Sequence, residues 1–321
     1  MVIHPYQAAD AMKWDEFATG CPMATFLHTR KFLSYHADRF LDQSTIIEER
    51  GRWVGLFPAA CHAHDDHVLV SHPGITYGGV LHSGHLRGRK MIEAIENLQS
   101  YYGMLGYKRI TYKAVPSIYH RAGSDDDLYA LFRLGAVRTR CDLSAAIDLN
   151  NRLKKSDRRV RSHKKANALG VSVLAGLELA SPMWDVLREN LAEKHDAKPV
   201  HSLGEILLLA RRFPENLMFV AGLLNGEVVA AVVTFASENV HHAQYIAANA
   251  LGREACALDA VFEHCIGHAQ ARGARWFDFG TSNEDAGTVL NEGLYQFKTE
   301  FGGGGVIHEF YEMSLSSKEG R

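Results

Sequence analysis

The sequence of 321 residues has no excess of either charge. It carries 35 lysines and arginines against 37 aspartates and glutamates, a formal charge of −2 with histidine neutral. No chain-wide field attracts nucleic acid, although local patches are not excluded. Cysteine is scarce: Cys21, Cys61, Cys141, Cys256 and Cys265 are odd in number, widely spread and free of any C-x-x-C. That excludes a disulfide framework and reads as buried or incidental thiols of a reducing compartment. No apolar run approaches the length of a membrane span. The opening MVIHPYQAADAMKWDEF has neither a basic n-region nor an apolar h-region, so a cytoplasmic location is expected. No Ser or Cys sits in a G-x-S-x-G turn, which excludes a nucleophile elbow. Cys61–His67 reads CHAHDDH, but no second cluster at zinc-like spacing follows it, so it is read as a polar hairpin tip with no metal.

What is present is a plan written twice. In the first half Ser44–Ile47 and Val54–Ala60 flank the turn Arg50-Gly51-Arg52. Val68–Ser71 adds a strand, and the loop HPGITYGG follows. Ile92, Ile95, Leu98, Tyr102 and Leu105 then recur at helical spacing, Gly106 ends that helix, and Tyr107–Val115 reads as a strand. The second half repeats the order. Leu217–Leu223 and Val228–Ala236 flank Asn225-Gly226, a strong hairpin signal. Val240–Ala247 is the next strand, Leu258, Val261, Phe262, Cys265 and Ala269 mark a helix, and Ala274–Phe279 is a strand. Alternating strands and helices with hairpins predict a mixed α/β fold of two similar mixed-sheet domains, residues 1–150 and 171–321.

Between them, residues 151–170 form a basic connecting helix or linker. Arg152–Lys165 holds eight lysines and arginines in fourteen residues. Two readings stay open: a solvated connector, or a site for phosphates in which Arg158 and Arg159 touch an acceptor. Near the C-terminus a short apolar strand closes at Asp278, and Gly280-Thr281-Ser282-Asn283-Glu284 makes a polar turn before a helix. At about 100° per residue, Leu290, Leu294, Phe297 and Phe301 share one side of that helix, and Asn291, Tyr295 and Lys298 share the neighbouring one. Such a helix either lines a cleft or presents a solvated polar face.

The strings YKAVPSIYHR, DDLYALFRLGA, RRVRSHKKANALGVSV, KPVHSL, HHAQYIAANALGREACALD, FDFGTSNEDAG and LNEGLYQFKTEFG resemble the FemAB-like branch of the GNAT acyltransferase superfamily. The resemblance runs from about Trp53 onward and is most specific in the last third. It implies a tandem duplicated GNAT-like fold with a cleft between the halves, and direct transfer of an acyl or aminoacyl group to an amine, with no covalent enzyme intermediate. Acetyl-CoA or another acyl-CoA is the implied co-substrate, with no tightly bound cofactor. The acceptor is expected among cell-envelope or polysaccharide precursors. Two alternatives stand beside this: an aminoacyl-tRNA-dependent FemAB-type transferase, and a non-catalytic protein that binds a saccharide or nucleotide-sugar. Lys298 matches the functional lysine of the F-K-x-x-F-G motif. GNAT proteins hold the CoA pyrophosphate with Q/R-x-x-G-x-G/A. Here Gly252, Arg253, Glu254, Ala255 and Cys256 occupy that stretch, with Cys256 and Leu258 where small residues are usual.

Amide formation needs a neutral amine, donors aimed at the developing oxyanion and a route for the amine proton. Strict alternation along Val240–Ala247 puts His242, Gln244 and Ile246 on one face and His241, Ala243 and Tyr245 on the other. His242 or Glu284 is the candidate base, Lys298 the candidate oxyanion or phosphate partner, and Tyr245 the candidate donor to a leaving group. Asp278 is read as a brace for the turn after it. Asn291 joins the candidate donor contacts. Gln244, Ser282, His201 and Tyr77, the last in the Gly-rich loop Pro73–Gly79, are candidate acceptor contacts, with Lys194 and His195 near the same pocket. Each single histidine has the competing reading of a satisfied structural residue.

Overall fold

The computed structural model describes residues 1–195 and 199–315. In chain order its strands are β1 (Val2–Pro5), β2 (Thr45–Glu49), β3 (Arg52–Phe57), β4 (Ala60–His62), β5 (Asp65–Val70), β6 (Arg109–Lys113), β7 (Val137–Asp148), β8 (Ser172–Ala175), β9 (Leu217–Leu224), β10 (Glu227–Ala236), β11 (Val240–Ala248), β12 (Trp276–Thr281), β13 (Asn283–Glu284), β14 (Val289–Leu290) and β15 (Gly304–Ser314). Its helices are α1 (Ala11–Gly20), α2 (Arg30–Leu33), α3 (Arg89–Met104), α4 (Asp126–Arg133), α5 (Asp157–Ala168), α6 (Ala180–His195), α7 (Leu203–Arg212), α8 (Ala250–Glu254), α9 (Ala257–Ala271) and α10 (Glu292–Thr299).

The chain divides into two compact units. Unit 1 comprises Met1–Leu143, Asn283–Val289 and the residues from Ile307 on; unit 2 comprises Ser144–Ser282 and Leu290–Val306. In unit 1 a three-stranded antiparallel sheet has the order β1-β2-β3, and β4, β5, β6 and β15 lie side by side. Met91, Ala94, Ile95, Leu98 and Tyr102 repeat at intervals of three and four along α3. They bury that face against Phe57, Leu69 and Tyr112.

In unit 2 the order is β7-β12-β11-β10-β9-β8. The β9–β10 hairpin turns through Asn225 (φ +52°) and Gly226 (φ +84°), the backbone that an Asn-Gly pair adopts at little cost. Helix α9 packs on β9, β10 and β11 and closes a core of Val220, Val232, Phe262, Phe277, Phe279 and Phe301. Helix α6 also packs on β10 and β11. Among the described residues no helix is long and apolar enough to cross a membrane, and all five cysteines are free thiols.

The two units share a connection. In unit 1, β5 leads through α3 to β6, parallel to it, in the register Val68↔Arg109, Leu69↔Ile110, Val70↔Thr111. In unit 2, β11 leads through α9 to β12, also parallel, in the register Val240↔Trp276, His241↔Phe277, His242↔Asp278. The preceding strand differs. β10 runs ten residues without a break, whereas β3 ends at Phe57 and β4 begins only at Ala60. Pro58 stands in that gap, where it has no N–H to give a ladder.

Helix α5 is not wholly a surface connector. Ser156 caps it by accepting from the Arg159 N–H at 3.2 Å. Arg159 itself is buried: its Nη1 donates to Asp259 at 3.0 and 3.1 Å, and its Nε lies 3.1 Å from Glu300. Burial raises the Asp259 carboxyl to about 6, with Arg159 opposing that rise.

Candidate active site

In unit 2 a histidine and an aspartate meet where β11 and β12 part. Their ladder stops at His242 and Asp278, although β11 runs on to Ala248 and β12 to Thr281. Just past that point β11 is irregular. Thr234 on β10 faces Ala243 and Val233 faces Tyr245, so Gln244 is the extra residue of a β-bulge. Strict alternation therefore fails. His242 opposes Phe235 and Tyr245 opposes Val233, two residues that share one face of β10. The imidazole and the phenol thus lie on the same face, and Ala243 and Ile246 turn to the α9 core.

At the parting point His242 Nδ1 donates to Asp278 Oδ2 at 2.8 Å. The carboxylate is fully buried and the imidazole retains 14% exposure. Asp278 Oδ1 accepts from Ser144 Oγ at 2.5 Å and from the Gly280 N–H at 3.0 Å. The carboxylate is held by three donors, and it fixes the histidine tautomer: with the proton on Nδ1, Nε2 presents a lone pair. The expected brace is present in the Gly280 bond, and the same side chain orients an imidazole. Ser144 gives no signal in the sequence; only the antiparallel pairing of β7 with β12 brings it to Asp278.

Lys298 lies on α10 and is 4% exposed. Its Nζ donates to the carbonyls of Gly280 at 2.8 Å and Thr281 at 2.7 Å, at the end of β12 beyond the β11 ladder. Burial lowers the ammonium pKa to about 8, and the Asp278 carboxylate acts against that shift. The helix buries Lys298 and packs Tyr295 and Phe297 on the core, whereas Leu290 and Leu294 are exposed. The apolar stripe drawn from the sequence is thus only half buried, because the lysine turns toward the strand carbonyls.

Gly280 has φ +79°, and a Cβ there would sit 3.3 Å from His242 Cε1. Gly280→Ala is expected to cost about 1–2 kcal/mol in a urea unfolding curve and to lower turnover by displacing the imidazole. An unchanged midpoint and unchanged turnover would remove Gly280 from the site.

The other sequence candidates divide. Tyr245 and His201 meet: the phenol pairs with His201 Nδ1 and accepts from the His201 N–H at 3.2 Å, with Trp184 edge-on at 5.1 Å. Ser282 is buried with an unpartnered Oγ, and its carbonyl accepts from the Asn291 N–H at 2.9 Å. Asn291 caps α10 through the Leu294 N–H. Gly252 is buried, and a Cβ there would lie 2.1 Å from the Val229 carbonyl oxygen, so this glycine lets α8 approach β10. Arg253 is exposed and donates to the Ala248 carbonyl; Glu254 is exposed and Ala255 buried. Cys256, at φ +56°, is the N-cap of α9. Arg158 is exposed.

Two candidates sit in unit 1. Glu284 is exposed on β13. Tyr77 is buried, its ring 4.4 Å from that of Tyr119 and its hydroxyl donating to Thr25. The side chains of Lys194 and His195 lie outside the described residues. Unit 1 lacks the dyad: Val70, the last residue of β5, and Thr111 stand at the register of His242 and Asp278. Lys113 Nζ there donates to the carbonyls of His72 and Ile75.

Residues 149–298 match the family described as Acetyltransferase (GNAT) domain. Over that stretch the chain is similar to a GNAT domain. Solved structures extend the likeness over nearly its whole length. FemX has a TM-score of 0.69 at 10% identity, covering 98% of both chains. A tandem GNAT protein from the clavulanic acid biosynthesis pathway has 0.55 at 10% identity, also covering 98% of both. L-PGS from Bacillus licheniformis has 0.59 at 12% identity, covering 87% of this chain and 84% of its own. None of the curated proteins matches in sequence. The fold is a duplicated GNAT-like one. The parting strands, the β11 bulge and the His242–Asp278 pair fall inside the matched residues.

Proposed function

We propose that this protein is an N-acyltransferase whose reaction centre lies in unit 2, with His242 as the general base. The observation that carries this reading is the His242–Asp278 hydrogen bond of 2.8 Å at the point where β11 and β12 part. Asp278 keeps the Nδ1 proton and aims Nε2 outward, and His242 is the exposed member of the pair. An acceptor amine attacks the acyl carbonyl, the new N–C bond forms, and Nε2 takes the amine proton. The C–S bond of a thioester then breaks, and the leaving thiolate takes up a proton. The backbone of β11 beyond its last pairing with β12 is suited to offer an N–H to the carbonyl oxygen. Protonated Lys298 has three N–H bonds, two of them given to Gly280 and Thr281, so one remains for an oxyanion or phosphate.

Acetyl-CoA or a longer acyl-CoA is the proposed donor, as in GNAT domains generally, and the α8–α9 turn with Asn291 is its proposed contact. A primary amine, in an envelope or polysaccharide precursor, is the proposed acceptor, with Gln244, Ser282 and His201 beside it. The second reading, transfer from aminoacyl-tRNA, draws on the fold shared with FemX and on the exposed Arg158, Arg161, Lys164 and Lys165 of α5. A thermal-shift series with acetyl-CoA, longer acyl-CoAs and aminoacyl-tRNA separates the two. A true donor at a hundred times its Kd stabilises by about 2.7 kcal/mol. A shift with acyl-CoA, followed by amine-dependent thiol release, is expected. A shift with aminoacyl-tRNA alone, weakening steeply with salt, would replace the first reading by the second.

A further inference from the structure

Helix α5 has a charge pattern that the acyl-transfer reading leaves unexplained. Its buried residues, Arg159 and Ala166, lie within about 20° of each other at about 100° per residue. On the opposite side Arg158, Arg161, Lys164 and Lys165 share an arc of about 120°, and all four are exposed. Asp157, in the first turn, is the one acid of the helix and falls in the same arc. Arg158 lies 3.9 Å from Glu300, and Arg161, Lys164 and Lys165 pair with no acid among the described residues. Arg161 stands three residues from Arg158 and Lys164 and four from Lys165, spacings at which like charges work against a helix. The buried Arg159, held by Asp259, fixes the helix and with it this outward array.

The arrangement of the cations defines the partner. They stand on the convex outside of a helix, over about 10 Å of its length, and do not converge on one point as donors to a single phosphate do. A surface of many anions suits them better. Apolar side chains accompany the charges. Leu169 falls within about 20° of Arg158 around the axis and is 49% exposed; Leu153, ahead of the cap, is 62% exposed. Between Asn151 and Ala175 there is no Phe, Tyr or Trp on which a nucleic acid base could stack. Cations beside exposed leucines match the headgroup layer of a bilayer, where phosphates lie above an apolar boundary. The whole chain has a formal charge of −2, so the attraction is local and orients the molecule by this face.

We propose that α5 docks this protein on the surface of an anionic phospholipid bilayer. The helix lies along the membrane plane, with Arg158, Arg161, Lys164 and Lys165 toward the lipid phosphates and Leu169 toward the acyl boundary. Each cation near such a surface strengthens binding about fivefold, so the attachment is peripheral, reversible and sensitive to salt. The docking does not depend on the acyl-transfer reading, and binding alone tests it.

Co-sedimentation of the full chain with vesicles of mixed phosphatidylserine and phosphatidylcholine is set against vesicles of phosphatidylcholine alone, at low and high salt. Binding to the anionic vesicles is expected to be at least about tenfold tighter than to the neutral ones, and to fall steeply with salt. Arg161→Gln combined with Lys165→Gln is expected to weaken it about thirtyfold, a factor of about five for each cation lost. Leu169→Ser is expected to weaken it about threefold to tenfold. All three positions are exposed, and circular dichroism checks that each variant folds as the parent does. A parallel titration with bulk tRNA identifies the other class of partner. Binding to tRNA with none to the anionic vesicles would overturn the proposal in favour of RNA. Equal binding to neutral vesicles, or full binding by either variant, would overturn it as well.

Discussion

Replacing His242 by alanine is expected to lower kcat for acyl transfer by about a hundredfold to ten-thousandfold, with the donor KM little changed. The reason is geometric. Nε2 is the basic atom that the buried Asp278 carboxylate orients, and alanine removes both the lone pair and its direction. Asp278→Asn is expected to act similarly while leaving the imidazole in place, because an amide no longer holds the Nδ1 proton as a carboxylate does. Circular dichroism and the thermal midpoint separate lost catalysis from lost folding. Normal turnover by a folded His242→Ala protein would dismiss the base and with it the reaction centre proposed in unit 2.

Lys298→Met should reduce turnover at least about tenfold and also change how stability depends on pH. Burial lowers the Lys298 pKa from 10.5 to about 8. Between those values the unfolded chain keeps a proton that the folded chain has released, so this group makes stability rise with pH from about 8 to 10.5. Below 8 its contribution is flat. The rise is on the order of 3 kcal/mol, the equivalent of about two pKa units. Lys113, lowered by burial to about 7, contributes a slope of the same sign starting one unit earlier. The informative quantity is therefore the difference between parent and variant in urea midpoints measured from pH 7 to 10. A Lys298→Met curve parallel to that of the parent would mean that the ammonium is not buried in solution.

The repeated plan was legible because hairpin turns and helical spacing are local. Asn225-Gly226 marks its hairpin, and the apolar positions of α3 and α9 announce their buried faces. Pro58 also stood in plain view, yet its effect on the first-half sheet depends on the ladder it interrupts. The site was legible only in part. His242 and Lys298 could be named from residue type and resemblance, but a period of two misassigned Tyr245, because a bulge at Gln244 is set by pairing with β10. Ser144 depends on register between strands more than a hundred residues apart, and the second role of Asp278 on the β11–β12 register, neither of which a local pattern encodes. Arg159 looked like its neighbours in a basic run, and only the fold sets it against Asp259.

The substitution of Val70 and Thr111 for the dyad has a consequence for how such a chain diversifies. An aliphatic group and a hydroxyl cannot pass a proton as an imidazole and carboxylate do, and Lys113 already ties down the carbonyls beside them. Restoring reactivity to the first copy would take two replacements and the removal of a cation. The first copy is thereby released from conserving the reaction proposed for unit 2, and its loops are free to change without cost to that chemistry.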